Sequence, residues 1–248
     1  MNERRVALVT GGSRGIGRAV ALRLAVDGFD VTVGYAGRKD AASEVVREIE
    51  KMGRKALEVQ GDISVKRDVE NIFEATLNRF GRLDAVVNCA GVMSMSGIAG
   101  GFTDANIEAF DRMTAVNLRG AFLVLAKAAE ILNEGGRIIQ FSTSAIVPAF
   151  PKYGPYTASK AGAELLVRVL ANELRGRKIT VNAIAPGPVA TELFFEGKSE
   201  EFIQKMTKLP PLERLGEPED ISSVVSFMLS DDSGWLNGQV VRVNGGYV

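Results

Sequence analysis

The chain has 248 residues, 46% hydrophobic and 24% charged, with 30 Lys+Arg set against 30 Asp+Glu and no histidine. That balance is ordinary for a globular core and offers no net charge to nucleic acid or an anionic membrane surface. Without histidine, imidazole acid–base catalysis, His triads and His-ligated metals are excluded, so Tyr, Ser, Lys, Asp, Glu or a bound cofactor must carry any chemistry.

The single cysteine, Cys89, excludes an intrachain disulfide framework and fits a reducing compartment. The opening "MNERRVALVTGG" runs into a strand and glycines rather than a signal peptide. No apolar run approaches the ~20 residues that span a bilayer. The expectation is a cytoplasmic protein with a small-molecule partner, without nucleic acid, membrane or metal.

Short β-branched runs alternate with longer amphipathic stretches. Strands are expected at 5–9, 30–35, 55–60, 83–88, 136–142, 179–184 and 239–244. Helices are expected near 15–28, 40–52, 65–80, 105–133, 155–176 and 218–230, and an irregular stretch rich in Pro, Gly and Phe at 185–217. Nearly continuous apolar strands imply a sheet covered on both faces. Strict βα alternation implies parallel strands joined by right-handed crossovers. The expected fold is α/β: one doubly wound Rossmann domain over 1–248 with a seven-stranded parallel sheet.

"TGGSRGIG" (10–17) follows the first strand and opens the first helix. Gly11, Gly15 and Gly17 permit a tight turn and close approach to a pyrophosphate at the helix N-terminus, with Ser13 and Ile16 in the same turn. Dinucleotide sites commonly carry an acid at the end of the second strand for the ribose 2′-hydroxyl. Here Tyr35, Ala36 and Gly37 are followed by Arg38 and Lys39. An Arg can bind a 2′-phosphate in a forked, charge-assisted way, and Arg14 can reach the same group, which favours NADP(H) over NAD(H). Asp40 reads as a helix N-cap. In "GDIS" (61–64), Asp62 either accepts from an adenine amine or forms a turn, with Ile63 beside it. In "NCAG" (88–91), Asn88, Ala90 and Gly91 would let backbone lie against the cofactor.

In "YTASK" (156–160), Tyr156 and Lys160 stand at i and i+4 of a helix and share a face. A phenol near pKa ~10 needs ~4 kcal/mol to act as a base near neutrality, about what a cation ~4 Å away supplies at an effective dielectric near 20. The pair can therefore move a proton without histidine.

Together "TGGSRGIG", "GDIS", "NCAG", "AVNLRG" around Asn117, "FSTS" (141–144), "YTASK", "APGPVAT" (185–191) and the terminal "VNGG" resemble the short-chain dehydrogenase/reductase family over essentially the whole chain. The resemblance implies a nicotinamide-dependent oxidoreductase acting on a carbonyl/alcohol pair, commonly a homotetramer. It gives Tyr156 the substrate proton and Lys160 the nicotinamide ribose. Asn117 would place a water that relays protons to Lys160. "NCAG" departs from the family's commoner form in having Cys89 for a second Asn, and Cys89 reads as a small buried residue rather than a nucleophile.

The family also places a carbonyl-polarising serine after the fifth strand. Thr143 lies thirteen residues before Tyr156 and Ser144 twelve before. Side-chain alternation puts Ser142 and Ser144 on one strand face, and a one-residue bulge would bring Ser144 into the site, so Ser144 is favoured over Thr143. The segment 185–217 resembles the family's substrate-covering region, with Pro186, Gly187, Val189 and Thr191 along the nicotinamide.

Phe194, Phe195, Phe150, Tyr153, Met93 and Met95 would give an apolar mouth, or simply pack within a lid. The favoured activity is NADPH-dependent reduction of a ketone or aldehyde. A 3-oxoacyl reductase acting on carrier-bound chains is the alternative, although Lys152, Lys198, Lys205 and Lys208 are interspersed with Glu196, Glu200 and Glu201. A catalytically silent dinucleotide sensor is the alternative of another class.

Overall fold

The computed structural model describes residues 4–93 and 107–248. One parallel sheet runs through them in the order β3-β2-β1-β4-β5-β6-β7. The strands are β1 (Val6–Thr10), β2 (Asp30–Tyr35), β3 (Ala56–Gln60), β4 (Ala85–Asn88), β5 (Arg137–Phe141), β6 (Thr180–Pro186) and β7 (Val240–Val243). Each lies within two residues of its expected bounds. The chain order reverses between β1 and β4, which opens a crevice at the carboxyl ends of these strands.

Side-chain alternation splits the core in two. Ala7, Val9, Val31, Val33, Val87, Ile139 and Ile184 face one layer, packed by α1 (Gly15–Val26), α2 (Lys39–Lys51) and the late helix Pro218–Met228. Val6, Leu8, Val86, Ile138 and Val181 face the other, packed by α3 (Lys66–Phe80), the segment around Val124 and the helix Gly154–Glu173. Both faces of the strands are thereby buried, the reason their sequences are almost wholly apolar.

Two stretches depart from expectation. The helix expected over 105–133 begins, among the described residues, as α4 (Ile107–Met113), passes through a π-helical segment (Thr114–Gly120), and continues as α5 (Ala121–Ile131). Helix α6 is Gly154–Glu173. The stretch expected to be irregular contains α7 (Glu192–Phe195) and α8 (Glu200–Lys208) before α9 (Pro218–Met228). Thr191 and Ser199 start α7 and α8 by accepting from the N–H of Phe194 and Phe202, caps strong enough to nucleate short helices. Asp40 is not a cap: α2 begins at Lys39, and Asp40 sits in its first turn, where a negative charge still suits the helix dipole. Among the described residues, no helix is long and apolar enough to cross a membrane.

Candidate active site

A cleft of about 480 Å³ opens over the carboxyl ends of the strands. Its floor begins at the glycine turn. Gly11 has φ +66°, and a Cβ there would stand 2.9 Å from the backbone of Ala90. A Cβ on Gly17 would stand 2.1 Å from the carbonyl oxygen of Gly11. The turn thus folds so tightly onto α1 that only glycine fits, leaving the first N–H groups of α1 facing the cleft as an anion seat. Ser13, Arg14, Gly15 and Ile16 line the same wall. This cradle, with the cations beside it, fits a dinucleotide.

The second corner lies at the end of β2, where Tyr35, Ala36 and Arg38 line the cleft. Arg14 and Arg38 converge on one carboxylate oxygen, Oε2 of Glu192, at 3.0 and 2.8 Å. Asp62 and Ile63 also line the cleft. Asp62 Oδ1 accepts from the N–H and hydroxyl of Ser64 at 2.9 and 2.7 Å, and Oδ2 accepts from Arg112 at 3.0 Å. Burial pulls its carboxyl upward, but these bonds from Ser64 and Arg112 outweigh it and hold the group below its ordinary range. Asp62 is therefore a turn-former that also faces the cleft.

Of the strand-end set, Ala90 and Gly91 line the cleft, whereas the side chain of Asn88 does not. Asn88 is fully buried, accepts from the Thr10 hydroxyl at 2.5 Å and donates to Gln140 at 2.8 Å, a network that ties β1, β4 and β5 together. The side chain of Asn88 thus has an internal role, separate from the backbone contact expected at this strand end. Burial pushes the Cys89 thiol up to about 12, against the opposing charge of Lys160, so it is no nucleophile near neutrality.

Helix α6 brings Tyr156 and Lys160 to one side of the cleft, as their spacing demands. Their electrostatics differ from expectation. The Tyr156 phenol is pushed up to about 12 by burial, with a hydrogen bond to Thr143 opposing and the neighbouring Tyr153 adding to the rise. Lys160 is 4% exposed, and burial pulls its amine down to about 8. Its Nζ donates to the Phe141 carbonyl at 3.1 Å, so its charge is directed to the strand end rather than to the phenol. The expected acidification of Tyr156 by Lys160 is thus corrected.

The expectation for Ser144 is also corrected. Pairing continues without a bulge past β5, where the Ser142 N–H donates to Ile184 at 2.8 Å. Thr143 then caps a single helical turn, Ser144–Ile146. Within it Ser144 is fully buried, donates to the Ala185 carbonyl at 2.8 Å and accepts from Asn244 at 3.1 Å. It lies outside the cleft lining, whereas Ser142 and Thr143 both line it, Thr143 on the side of Tyr156. Ser142 Oγ donates to Glu164 at 2.5 Å.

Asn117, 1% exposed, sits in the π segment with its side chain fully engaged. Nδ2 donates to Val92 O at 2.9 Å and to Ser159 Oγ at 3.1 Å, and Ser159 in turn donates to the Tyr156 carbonyl at 2.7 Å. Along the other wall, Pro186, Gly187, Val189 and Thr191 line the cleft as expected.

Phe150, Tyr153, Phe194 and Met93 form part of an apolar compartment. Phe195 lies outside the cleft lining and is 43% exposed, stacked edge-on against Phe194 with centroids 5.3 Å apart. Met95 lies outside the described residues. Of the lysines, Lys198 lines the cleft, its ammonium 4.8 Å from the Phe194 ring centroid.

Sequence reasoning missed Glu192, Phe202, Met206 and Tyr247, all of which line the cleft. Tyr247 arrives because Gly245 and Gly246, at φ +64° and +85°, turn the chain back. Its ring lies 6.4 Å from Phe150, and its buried hydroxyl has no hydrogen-bond partner among the described residues. The Gly-Gly pair before an aromatic was the available signal.

A family model described as enoyl-(acyl carrier protein) reductase matches residues 11–248. A short-chain type dehydrogenase/reductase of Picea abies is 44% identical over 252 residues, covering 98% of this chain and 92% of that protein. "NADPH-dependent aldehyde reductase 2, chloroplastic" of Arabidopsis thaliana is 42% identical over 255 residues, covering 98% of this chain and 93% of that protein. The crystal structure of the angucycline C-6 ketoreductase LanV with bound NADP superposes with a TM-score of 0.89 at 37% identity, covering 98% of this chain and 95% of that one. With its glycine cradle, its Tyr156/Lys160 helix face and its sheet order, the chain belongs to the short-chain dehydrogenase/reductase family.

Proposed function

We propose that the protein reduces a ketone or aldehyde to an alcohol with NADPH. The observation that carries this is a phenol, a hydroxyl and an amine in one cleft: Tyr156, Thr143 and Lys160 beside the glycine cradle. NADPH, when bound, supplies the hydride that reaches the carbonyl carbon. Tyr156 donates its proton to the carbonyl oxygen, and a phenol held protonated up to about 12 is in the right form to do so. Thr143, which lines the cleft with Tyr156, is the polarising hydroxyl. Lys160, its amine held at the strand end by the Phe141 carbonyl, would hold the nicotinamide ribose in the same cleft. Asn117 is a positioning residue, joining residue 92 to α6 through Ser159. Gly11–Gly17 and the helix start would hold the pyrophosphate, and Arg14 with Arg38 the 2′-phosphate.

The aromatic compartment supports an apolar or aromatic carbonyl substrate, in keeping with the ketoreductase name of one structural relative. An acyl-carrier substrate has less support. Among Lys152, Lys198, Lys205 and Lys208, Lys198 is turned to Phe194, and α8 opens with Glu200 and Glu201.

A homo-oligomer, a tetramer by family resemblance, is supported by Phe122, Leu165 and Val169, exposed at 55%, 64% and 48% on α5 and α6. Leu165 and Val169 share one helix face. A monomeric mass by light scattering would refute assembly. The lone thiol supports a reducing compartment; a plant relative is named chloroplastic.

The test is NADPH oxidation, followed by nicotinamide absorbance, against a panel of aldehydes, aromatic ketones and 3-oxoacyl thioesters. Turnover with NADPH is expected; saturable NADPH binding with no turnover of any carbonyl would favour the sensor reading.

A further inference from the structure

Arg14 comes from the glycine turn, Arg38 from the loop after β2, and Glu192 from the first position of α7. Three separate segments thus meet at one point, with both guanidiniums on the same carboxylate oxygen at 2.8 and 3.0 Å. Neither arginine has a second ion-pair partner among the described residues. All three side chains are exposed, at 42%, 54% and 59%, so each contact is weak and readily exchanged. Two guanidiniums that share one anionic oxygen form a seat whose shape suits a phosphate as well as a carboxylate.

We infer that Glu192 is an internal competitor for the 2′-phosphate of the cofactor, and so sets the margin by which the protein prefers NADPH to NADH. The inference rests on the reading of Arg14 and Arg38 given above. A 2′-phosphate and the Glu192 carboxylate cannot share the arginines without repulsion, so phosphate binding must release Glu192. Thr191, the cap of α7, and Phe194, on α7 itself, also line the cleft. The anion that occupies the arginine seat is thereby tied to the helix that forms part of the substrate wall. NADH, with no phosphate, makes no claim on the seat.

The test is Glu192→Gln, with dissociation constants for NADPH, NADH and adenosine 2′-monophosphate measured by calorimetry or nicotinamide fluorescence. NADPH and adenosine 2′-monophosphate are expected to bind about three- to tenfold more tightly to the variant, with NADH changed less than twofold. The gain is expected to shrink as salt is raised, because the competing charges are exposed. Unchanged or weaker NADPH binding, or equal tightening of NADPH and NADH, would overturn the inference. A wild-type protein that binds NADH as tightly as NADPH would instead overturn the cofactor reading itself.

Discussion

Asn117 pairs with residue 92 in both directions: the Val92 N–H donates to Oδ1 at 2.9 Å, and Nδ2 donates to the Val92 carbonyl at 2.9 Å. A side-chain amide here completes backbone pairing that no strand provides, just past β4 and beside the Lys160 amine. Replacing Asn117 by Ala leaves both Val92 groups and Ser159 without this partner. The expected loss is about 2–3 kcal/mol of stability, read from urea unfolding. Reductase activity should fall as well, because the contact fixes the strand end next to Gly91 and Lys160. A variant as stable as wild type would show that water replaces the amide without cost.

Hydroxyl roles at the end of β5 separate cleanly. Thr143→Val removes the hydroxyl that lines the cleft with Tyr156 and is expected to lower kcat at least tenfold with NADPH binding intact. Ser144→Ala should keep kcat within about twofold while costing about 1–2 kcal/mol, since Ala185 and Asn244 lose a buried partner. The opposite pattern would return the polarising role to Ser144.

Tyr156→Phe deletes the proton donor and leaves the ring. Turnover should fall by roughly 10²–10⁴, the usual range for losing a general acid, with NADPH affinity little changed. Retained turnover would remove Tyr156 from the chemistry.

Burial of Lys160 makes stability depend on pH. Its amine is pulled from 10.5 to about 8, so the unfolded chain binds more protons between those values and stability should rise with pH across that window. Below pH 8 the full cost applies, of order 3 kcal/mol. Lys160→Met abolishes the cost but also the bond to Phe141, so a net gain of about 1–3 kcal/mol is expected at pH 7, fading by pH 10. Urea midpoints at the two pH values test this. A gain no larger at pH 7 than at pH 10 would contradict it.

Gly17→Ala should improve helix propensity by up to about 1 kcal/mol, yet its Cβ would stand 2.1 Å from the Gly11 carbonyl oxygen. The clash with backbone should dominate, costing about 1–3 kcal/mol and weakening NADPH binding at the same turn. Thermal melts with and without NADPH would show both effects.

The sequence alone determined the order of strands and helices, the glycine turn and the common face of Tyr156 and Lys160, because these rest on local rules: alternation, helical periodicity and the space only glycine leaves. It could not decide which of Ser142, Thr143 and Ser144 line the cleft, since they differ only by where pairing with β6 stops. Nor could it show that Asn88 belongs to a network with Thr10 and Gln140, residues 78 and 52 positions away in sequence. The meeting of Arg14, Arg38 and Glu192, and the arrival of Tyr247 beside Phe150, likewise join segments far apart in the chain. Charge states followed the same division. Spacing put a cation near a phenol, but burial and the Phe141 carbonyl decided where that charge acts, and burial exists only once the sheet and its helices have closed around Lys160.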